Sequence, residues 1–429
     1  MSNFEVIVVG AGLAGATAAL NLSRAGASVL ILEARDRAGG RGYTREFAGT
    51  ADQLDYGGAW ITPWQHRIRK LCSELGIGLR PRHPVTQRRW FYDGSLHHDG
   101  PAPQRQRNAH AEALARIADD SRLLKAGQDF GQETLAQYLD RIAAPSATRE
   151  LVSAWWTVSG NGDKTRVPAS EFLHSAAHHD GTPDGICEVW AETLVGGVQT
   201  LCERMVAASG AAIRYAATVQ TIHHRGSSAS LVLAGGETMH ARSIIIATGL
   251  NPMAHIAFDP SLPKPKTHSL SFGHLGRAVK IWAKLEGVPV GVLATGGGHA
   301  IEWMFTERLA ADGATLAVGF GVQGHNWTPS FPRNAEQAAA HFFPEARFIA
   351  CDWHDWNTDP FSRGAWVASI AGHPEAHRAE TWNAHGDLAF ASSDFAATDA
   401  GWFEAAIISG ADAAGATVAR LGIALAPQV

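Results

Sequence analysis

Phe4 to Val9 is an apolar run that leads directly into Gly10-Ala11-Gly12-Leu13-Ala14-Gly15. An amphipathic stretch then carries the chain to Arg24, and Ser28–Leu32 returns as a second apolar run that ends on Glu33. Few folds accept that order. Both runs are short enough to read as buried strands, and a crossover between parallel strands calls for a helix laid on their face. Gly10 permits the tight turn off the first strand, Gly12 lets backbone approach a pyrophosphate, and Gly15 lets the helix pack close to the sheet. The helix N-terminus offers unpaired N–H groups and the positive end of its dipole to phosphates. Glu33 stands where a carboxylate accepts hydrogen bonds from both ribose hydroxyls of an adenosine and repels a 2′-phosphate. The unit reads as a dinucleotide-binding βαβ, with NAD and FAD both open.

The residues after Glu33 favour FAD. Ala34-Arg35-Asp36-Arg37-Ala38-Gly39-Gly40-Arg41 adds a second glycine pair and a guanidinium, and Asp55-Tyr56-Gly57-Gly58-Ala59-Trp60-Ile61 adds a third close-approach turn framed by aromatics. A flavin dinucleotide extends well beyond its pyrophosphate, so a second loop with an arginine can hold it from the other side. In these glycines, the acidic residue, the GGR loop and the GGAW turn, the sequence resembles the flavin-containing amine oxidase family. The likeness continues through Gly386–Asp394 and Gly401–Gly410. Within the family it is most similar to the bacterial 6-hydroxy-L-nicotine oxidase type, through Ala176-Ala177-His178-His179, Gly276–Lys280, His354-Asp355-Trp356 and Gly364–Ala368.

The resemblance implies an α/β fold: a Rossmann-like FAD-binding domain interleaved with an α+β substrate domain, a mixed sheet flanked by helices. The expected division gives residues 1–80, 191–262 and 384–429 to the FAD-binding domain, and 81–190 and 263–383 to the substrate domain. It also implies a cofactor site of Gly10, Gly12, Gly15, Glu33, Ala34, Arg35, Gly40, Arg41, Gly57, Gly58, Ala59, Trp60, Val219, Ser393, Asp394, Trp402 and Phe403.

Local patterns fill in the elements. A helix is expected over Ile68–Gly76, a hairpin around Arg88–Tyr92 with an Asp93-Gly94 turn, and helices over Ala109–Leu124 and Thr134–Ile142. Gly196-Gly197 opens another helix, strands follow near Ala211–Tyr215, Thr218–His223 and Leu231–Leu233, and Ser243–Gly249 is a buried strand and turn. Pro252 to Pro265 reads as a crossing linker stiffened by prolines. Strands at Ala278–Leu285, Ile301–Phe305 and Leu316–Phe320 and a helix over Ala335–Phe342 complete the reading.

Composition narrows the function classes. A net charge of −5 without a basic cluster argues against nucleic acid. Cys72, Cys187, Cys202 and Cys351 have no metal-binding or disulfide spacing and suit a reducing cytoplasm. With the first strand at Phe4 there is no room for a signal peptide, and no apolar run reaches the about 18 residues of a membrane span, so a cytoplasmic enzyme without membrane attachment is expected. Nothing in the pattern bears on assembly, and a homodimer is the commonest outcome.

Oxidising an amine at a flavin needs orientation, desolvation and electrostatics from the protein rather than an acid–base triad. The resemblance implies three catalytic positions. Lys280 matches the family's lysine near the flavin, where burial lowers its pKa and its charge stabilises oxygen anion formed on reoxidation. Trp366 and Trp402 match an aromatic cage, with tryptophan at the second position where the hydroxynicotine oxidases carry a smaller tyrosine. Ala365 stands where covalent flavin enzymes of the family carry cysteine, which implies non-covalent FAD. Expected substrate contacts are Trp60, Trp156, Thr157, His179, Trp366 and Trp402. Of the adjacent His178 and His179 only one can face a cavity, and metal binding is not expected without further ligands. His354-Asp355-Trp356 reads as structural.

The expected function is hydride transfer from the carbon next to nitrogen of a secondary or tertiary, heterocyclic, nicotine-like amine to FAD, with O2 or another acceptor regenerating the cofactor and O2 giving H2O2. The alternatives are an amino-acid oxidase, which needs an arginine clamp such as Arg89 or Arg277, a ring desaturase on the same scaffold, or a flavin-binding protein without turnover.

Overall fold

A computed structural model describes residues 4–179, 181–182, 191–226, 228–297, 300–322, 330–373, 378–396 and 399–423. Cys187 lies outside them. The opening unit forms as its sequence dictates. Val6–Val9 and Val29–Leu32 are parallel strands, buried throughout, with Leu13–Arg24 as the crossover helix. They sit inside a five-stranded sheet in the order Ala212–Arg214, Val29–Leu32, Val6–Val9, Ser243–Ile246, Leu388–Phe390, with every pairing parallel.

The alternation of strand side chains decides what covers each face. Val6, Val8 and Ile31 pack under Leu13–Arg24, Gly197–Ser209 and Phe403–Leu421. Ile7, Val9, Leu30 and Leu32 pack against a four-stranded sheet of Thr238–Ala241, Ala229–Leu233, Val219–His224 and Ala257–Asp259. The last of these strands corrects the expected linker. Its residues pair in parallel with Thr221–His223, so Pro252–Pro265 contributes a sheet edge rather than a plain crossing.

A separate, seven-stranded sheet runs Arg347–Trp353, Ala278–Glu286, Thr315–Val322, Trp303–Leu309, Val292–Gly296, Gln87–Tyr92, Ser95–His97. It is antiparallel except where Val292–Gly296 meets Gln87–Phe91. Asp93 and Gly94, both at positive φ, turn the expected hairpin. Val292–Gly296 and Arg347–Trp353 had no expected counterpart. The first is short and flanked by glycines, and the second mixes polar and apolar residues without clean alternation. One face of this sheet, including Val279, Ile281 and Ala283, packs on the helix Phe331–Phe342. The other, with Trp282, Trp303, Phe305 and Phe320, packs beneath the helices Leu135–Arg141, Ser146–Ser159 and Ala169–Ala177. Lys280 has the parity of Trp282, so its side chain leaves the sheet on that second face.

No helix among the described residues is long and apolar enough to cross a membrane.

Candidate active site

The two sheets meet around a cavity of about 490 Å³. Its wall takes in Gly10, Gly12, Glu33, Ala34, Arg35, Gly40 and Arg41, and also Gly57, Gly58, Ala59, Trp60, Val219, Ser393 and Phe403. Lys280, Phe320, Trp366 and Trp402 line the same space.

Close approach explains the glycines. A Cβ on Gly10 would stand 2.6 Å from the Ala247 carbonyl oxygen, and one on Gly15 would stand 2.0 Å from that of Gly10. Gly15 therefore fixes the helix against the turn and does not itself reach the cavity. A Cβ on Gly57 would lie 1.8 Å from the Arg41 carbonyl oxygen, and one on Gly58 would lie 2.5 Å from the Phe403 ring. The third glycine turn is thus pressed between the GGR loop and the last helix.

The charged residues are held by one another. Glu33 accepts from the backbone N–H of Ala11 at 2.7 Å and of Arg35 at 2.9 Å. Each carboxylate oxygen keeps a further lone pair for an incoming hydroxyl. Arg35 donates to Asp359 at 2.7 Å and to Ser362 at 2.8 Å. Arg41 reaches across the chain to Asp394 at 2.6 Å, to Ser393 at 3.0 Å and to the Ala365 carbonyl at 2.9 Å. Asp394 is wholly buried and does not line the cavity. It accepts from the Leu250 N–H, and although burial alone would raise its pKa, Arg41 and His274 hold it below its ordinary value.

Lys280 donates to the Gly57 carbonyl at 3.0 Å, and its ammonium lies 4.6 Å from the Trp60 ring centroid and 5.4 Å from that of Trp282. Burial lowers its pKa to about 8, against the opposing pull of Asp55 and Glu307. These two carboxyls carry no sequence signal for the site. Glu307 accepts from Trp60 Nε1 at 3.1 Å, and Asp55 accepts from the Thr44 hydroxyl at 2.6 Å. Burial raises the pKa of both.

Three expected substrate contacts lie elsewhere. Trp156 is in the core, its ring so near Gly160 that a Cβ there would stand 1.9 Å from it. Thr157 turns its hydroxyl back to the Ala154 carbonyl at 2.7 Å. Val158 and Ser159, a fraction of a turn further on, line the cavity instead. His179 is buried against Ser175 and Trp64, off the wall. Trp356, read as structural, does bond the Tyr56 carbonyl through Nε1, and it also lines the cavity.

Residues 13–418 match the family described as flavin-containing amine oxidoreductase. The chain belongs to that family. This amine oxidoreductase is 26% identical to (S)-6-hydroxynicotine oxidase of Paenarthrobacter nicotinovorans over 94% of its own length and 97% of that protein's. It is 25% identical to pseudooxynicotine dehydrogenase of a Pseudomonas species, over 95% and 85%. Its fold is that of putrescine oxidase with bound putrescine (TM-score 0.84, 22% identity, covering 97% of this chain and 99% of the other) and of cyclohexylamine oxidase from Brevibacterium oxydans (TM-score 0.80, 22% identity, 98% and 99%).

Amine oxidation in this family depends on FAD, and the amine oxidoreductase has the features to hold it. Gly10, Gly57 and Gly58 form a cradle that side chains would fill, and the buried Thr248 hydroxyl on the cavity wall has no hydrogen-bond partner among the described residues.

Proposed function

We propose that this amine oxidoreductase acts on a secondary or tertiary heterocyclic amine of nicotine-like shape, with oxygen as acceptor and H2O2 as product. The observation that carries the reading is the common wall of Lys280, Trp60, Phe320, Trp366 and Trp402. Among the described residues, Glu33 is the one carboxylate on that wall, and its oxygens already serve the Ala11 and Arg35 N–H groups. A flat amine with an apolar body suits such a lining better than a diamine whose second ammonium needs a counter-charge.

Bound FAD would supply the oxidation itself, taking hydride from the carbon next to nitrogen so that an iminium leaves for hydrolysis. Glu33 and the helix N-terminus would hold its adenosine and pyrophosphate, and Arg41 and Ser393 the opposite side. Trp366 and Trp402 would set the amine's approach by shape and ring quadrupole and exclude water, which favours the neutral amine. Lys280, carried on a rigid strand and fixed to the Gly57 carbonyl, would place positive charge where oxygen anion develops. Ala365 lines the cavity with no thiol to bond the flavin, which supports non-covalent attachment. The separate parallel and mixed sheets support the expected division into an interleaved FAD-binding and substrate domain, and the buried thiols Cys72 and Cys202 suit a cytoplasmic enzyme.

The amino-acid oxidase reading has less support. Arg89 is committed to Glu345 and the Phe342 carbonyl, Arg277 is exposed, and neither lines the cavity.

Anaerobic bleaching of the flavin by a panel of cyclic, linear and amino-acid amines tests the proposal. Cyclic secondary or tertiary amines should bleach fastest, and faster bleaching by putrescine or an amino acid would overturn it. Acid precipitation should release all the yellow colour, whereas colour kept in the pellet would refute non-covalent binding.

A further inference from the structure

The helix Ala169–Ala177 brings His174 and His178 one turn apart at its C-terminal end, and the loop before Trp402 lays Asp399 beside them. The two imidazole Nε2 atoms are 3.2 Å apart, and His178 Nε2 is 3.7 Å from Asp399 Oδ1. One ligand atom from each of the three residues falls within a 4.8 Å span. Ligands at about 2.0–2.1 Å from a tetrahedral zinc ion stand about 3.3 Å from one another, so the histidine pair has the edge length of such a site. The carboxylate lies a few tenths of an ångström beyond that edge from His178 and within 4.8 Å of His174.

We propose that His174, His178 and Asp399 form a binding site for a zinc-like divalent cation that fastens the Trp402 loop to the substrate-side helix. Two imidazoles and one carboxylate are a borderline-soft donor set suited to zinc, copper or nickel rather than to magnesium or calcium. Three protein ligands leave a fourth position for water. Each imidazole would carry its proton on Nδ1 and offer Nε2 to the metal. Without metal, the same two nitrogens can share a single proton in a hydrogen bond, which is the competing use of this geometry.

The placement gives the site a consequence for the reaction. The Asp399 carbonyl accepts the Trp402 N–H at 3.0 Å, and Asp399 holds a left-handed backbone (φ 51°). Gly401, two residues on, is packed so that a Cβ would stand 3.4 Å from Trp366. His178 is held from its other side by the Trp64 ring, stacked at 6.0 Å. A cation bound here would fix Asp399 and, through it, the backbone that presents one cage tryptophan next to the other. The charges facing His174 are His178, Asp399 and Lys125, so the carboxylate offsets the one nearby cation named among them.

The test is calorimetric titration of the chelator-treated holoenzyme with zinc chloride. The wild type should bind one equivalent, and His174→Ala, His178→Ala and Asp399→Asn should each weaken binding by at least about ten-fold. Flavin absorbance and Tm without metal check that each variant is folded, and His174→Gln replaces His174→Ala if that variant is not. Zinc should also shift the amine KM of the wild type by about five-fold and leave that of the His174 variant unmoved. Absence of zinc binding to the wild type, or wild-type affinity retained in the histidine variants, would overturn the site. Specific binding with an unmoved KM would overturn the coupling to Trp402.

Discussion

The Lys280 ammonium donates a 3.0 Å hydrogen bond to the Gly57 carbonyl, tying the strand Ala278–Glu286, next to one edge of the seven-stranded sheet, to the turn that lies against the GGR loop. One contact thus sets the position of a buried charge relative to a glycine turn on the cavity wall. Lys280→Met keeps the volume and removes the charge. Stopped-flow mixing of the reduced variant with oxygen should show reoxidation slowed by about 10²-fold or more, the scale of losing one preorganised electrostatic group. Wild-type rates in both half-reactions would remove Lys280 from the mechanism.

The same lysine sets a pH dependence. Its pKa is lowered to about 8, so it is an ammonium below that pH and neutral above it. A step that needs the charge is fast at pH 7 and falls as pH rises through about 8. The oxygen-reaction rate of the wild type should show that inflection and Lys280→Met should not, when both are measured from pH 6 to 10.

Gly57→Ala introduces a methyl group 1.8 Å from a backbone oxygen that has no flexible end to move aside. The turn must shift, at a cost of about 1–3 kcal/mol, and the cofactor loses its close approach. Purified protein should show a lower Tm and a flavin-to-protein absorbance ratio well below that of wild type. Full flavin content would show that nothing need approach Gly57 closely.

Asp394→Asn leaves the Arg41 guanidinium without its buried counter-charge. Breaking such a pair by removing one partner costs about 3–5 kcal/mol, at the low end here because Arg41 is partly exposed. The sign with pH follows from the lowered pKa of Asp394. Its contribution is complete above the carboxyl's ordinary value and fades as pH falls through the folded value. Denaturant melts from pH 7 to pH 3 should therefore find the variant much less stable at neutrality and the gap closing in acid.

Trp402→Tyr makes room at the cavity wall. Relative kcat/KM for a bulkier tertiary amine over a compact one should rise by roughly ten-fold, within what a pocket of apolar contacts can discriminate. An unchanged ratio would place Trp402 outside the selectivity of the site.

Much of the nucleotide side was legible because its constraints are local. Gly10, Gly12, Gly15 and Glu33 are bound to one another by turn and strand geometry within a single supersecondary unit, and the structure sets Gly10, Gly12 and Glu33 on the cavity wall with Gly15 holding the helix against the turn. Lys280 was legible through strand parity, which one apolar neighbour on either side settles. The helix Ser146–Ser159 was harder. Each residue turns about 100°, so naming Trp156 and Thr157 in place of Val158 and Ser159 moves the contact to another face. Glu307 against Trp60, and the pairing of Arg41 with Asp394 as distinct from their separate places in the expected site, depend on packing between distant segments, which local sequence does not carry. His174 and His178 had a helical spacing that could be read, but their third partner comes from beyond the seven-stranded sheet in chain order.

The central parallel sheet receives its last strand, Leu388–Phe390, and the covering helix Phe403–Leu421 only from the final stretch of the chain. Ser243–Ile246 therefore has no neighbour on that side until five strands of the other sheet, Ala278–Glu286 through Arg347–Trp353, have been made. A nascent chain can make its first βαβ unit early and cover it with Gly197–Ser209 and the four-stranded sheet, but Phe403–Leu421 joins that layer only after every strand of the seven-stranded sheet. A chain cut before Leu388 would leave Ser243–Ile246 as an open edge strand and would lack the Trp402 and Phe403 wall of the cavity.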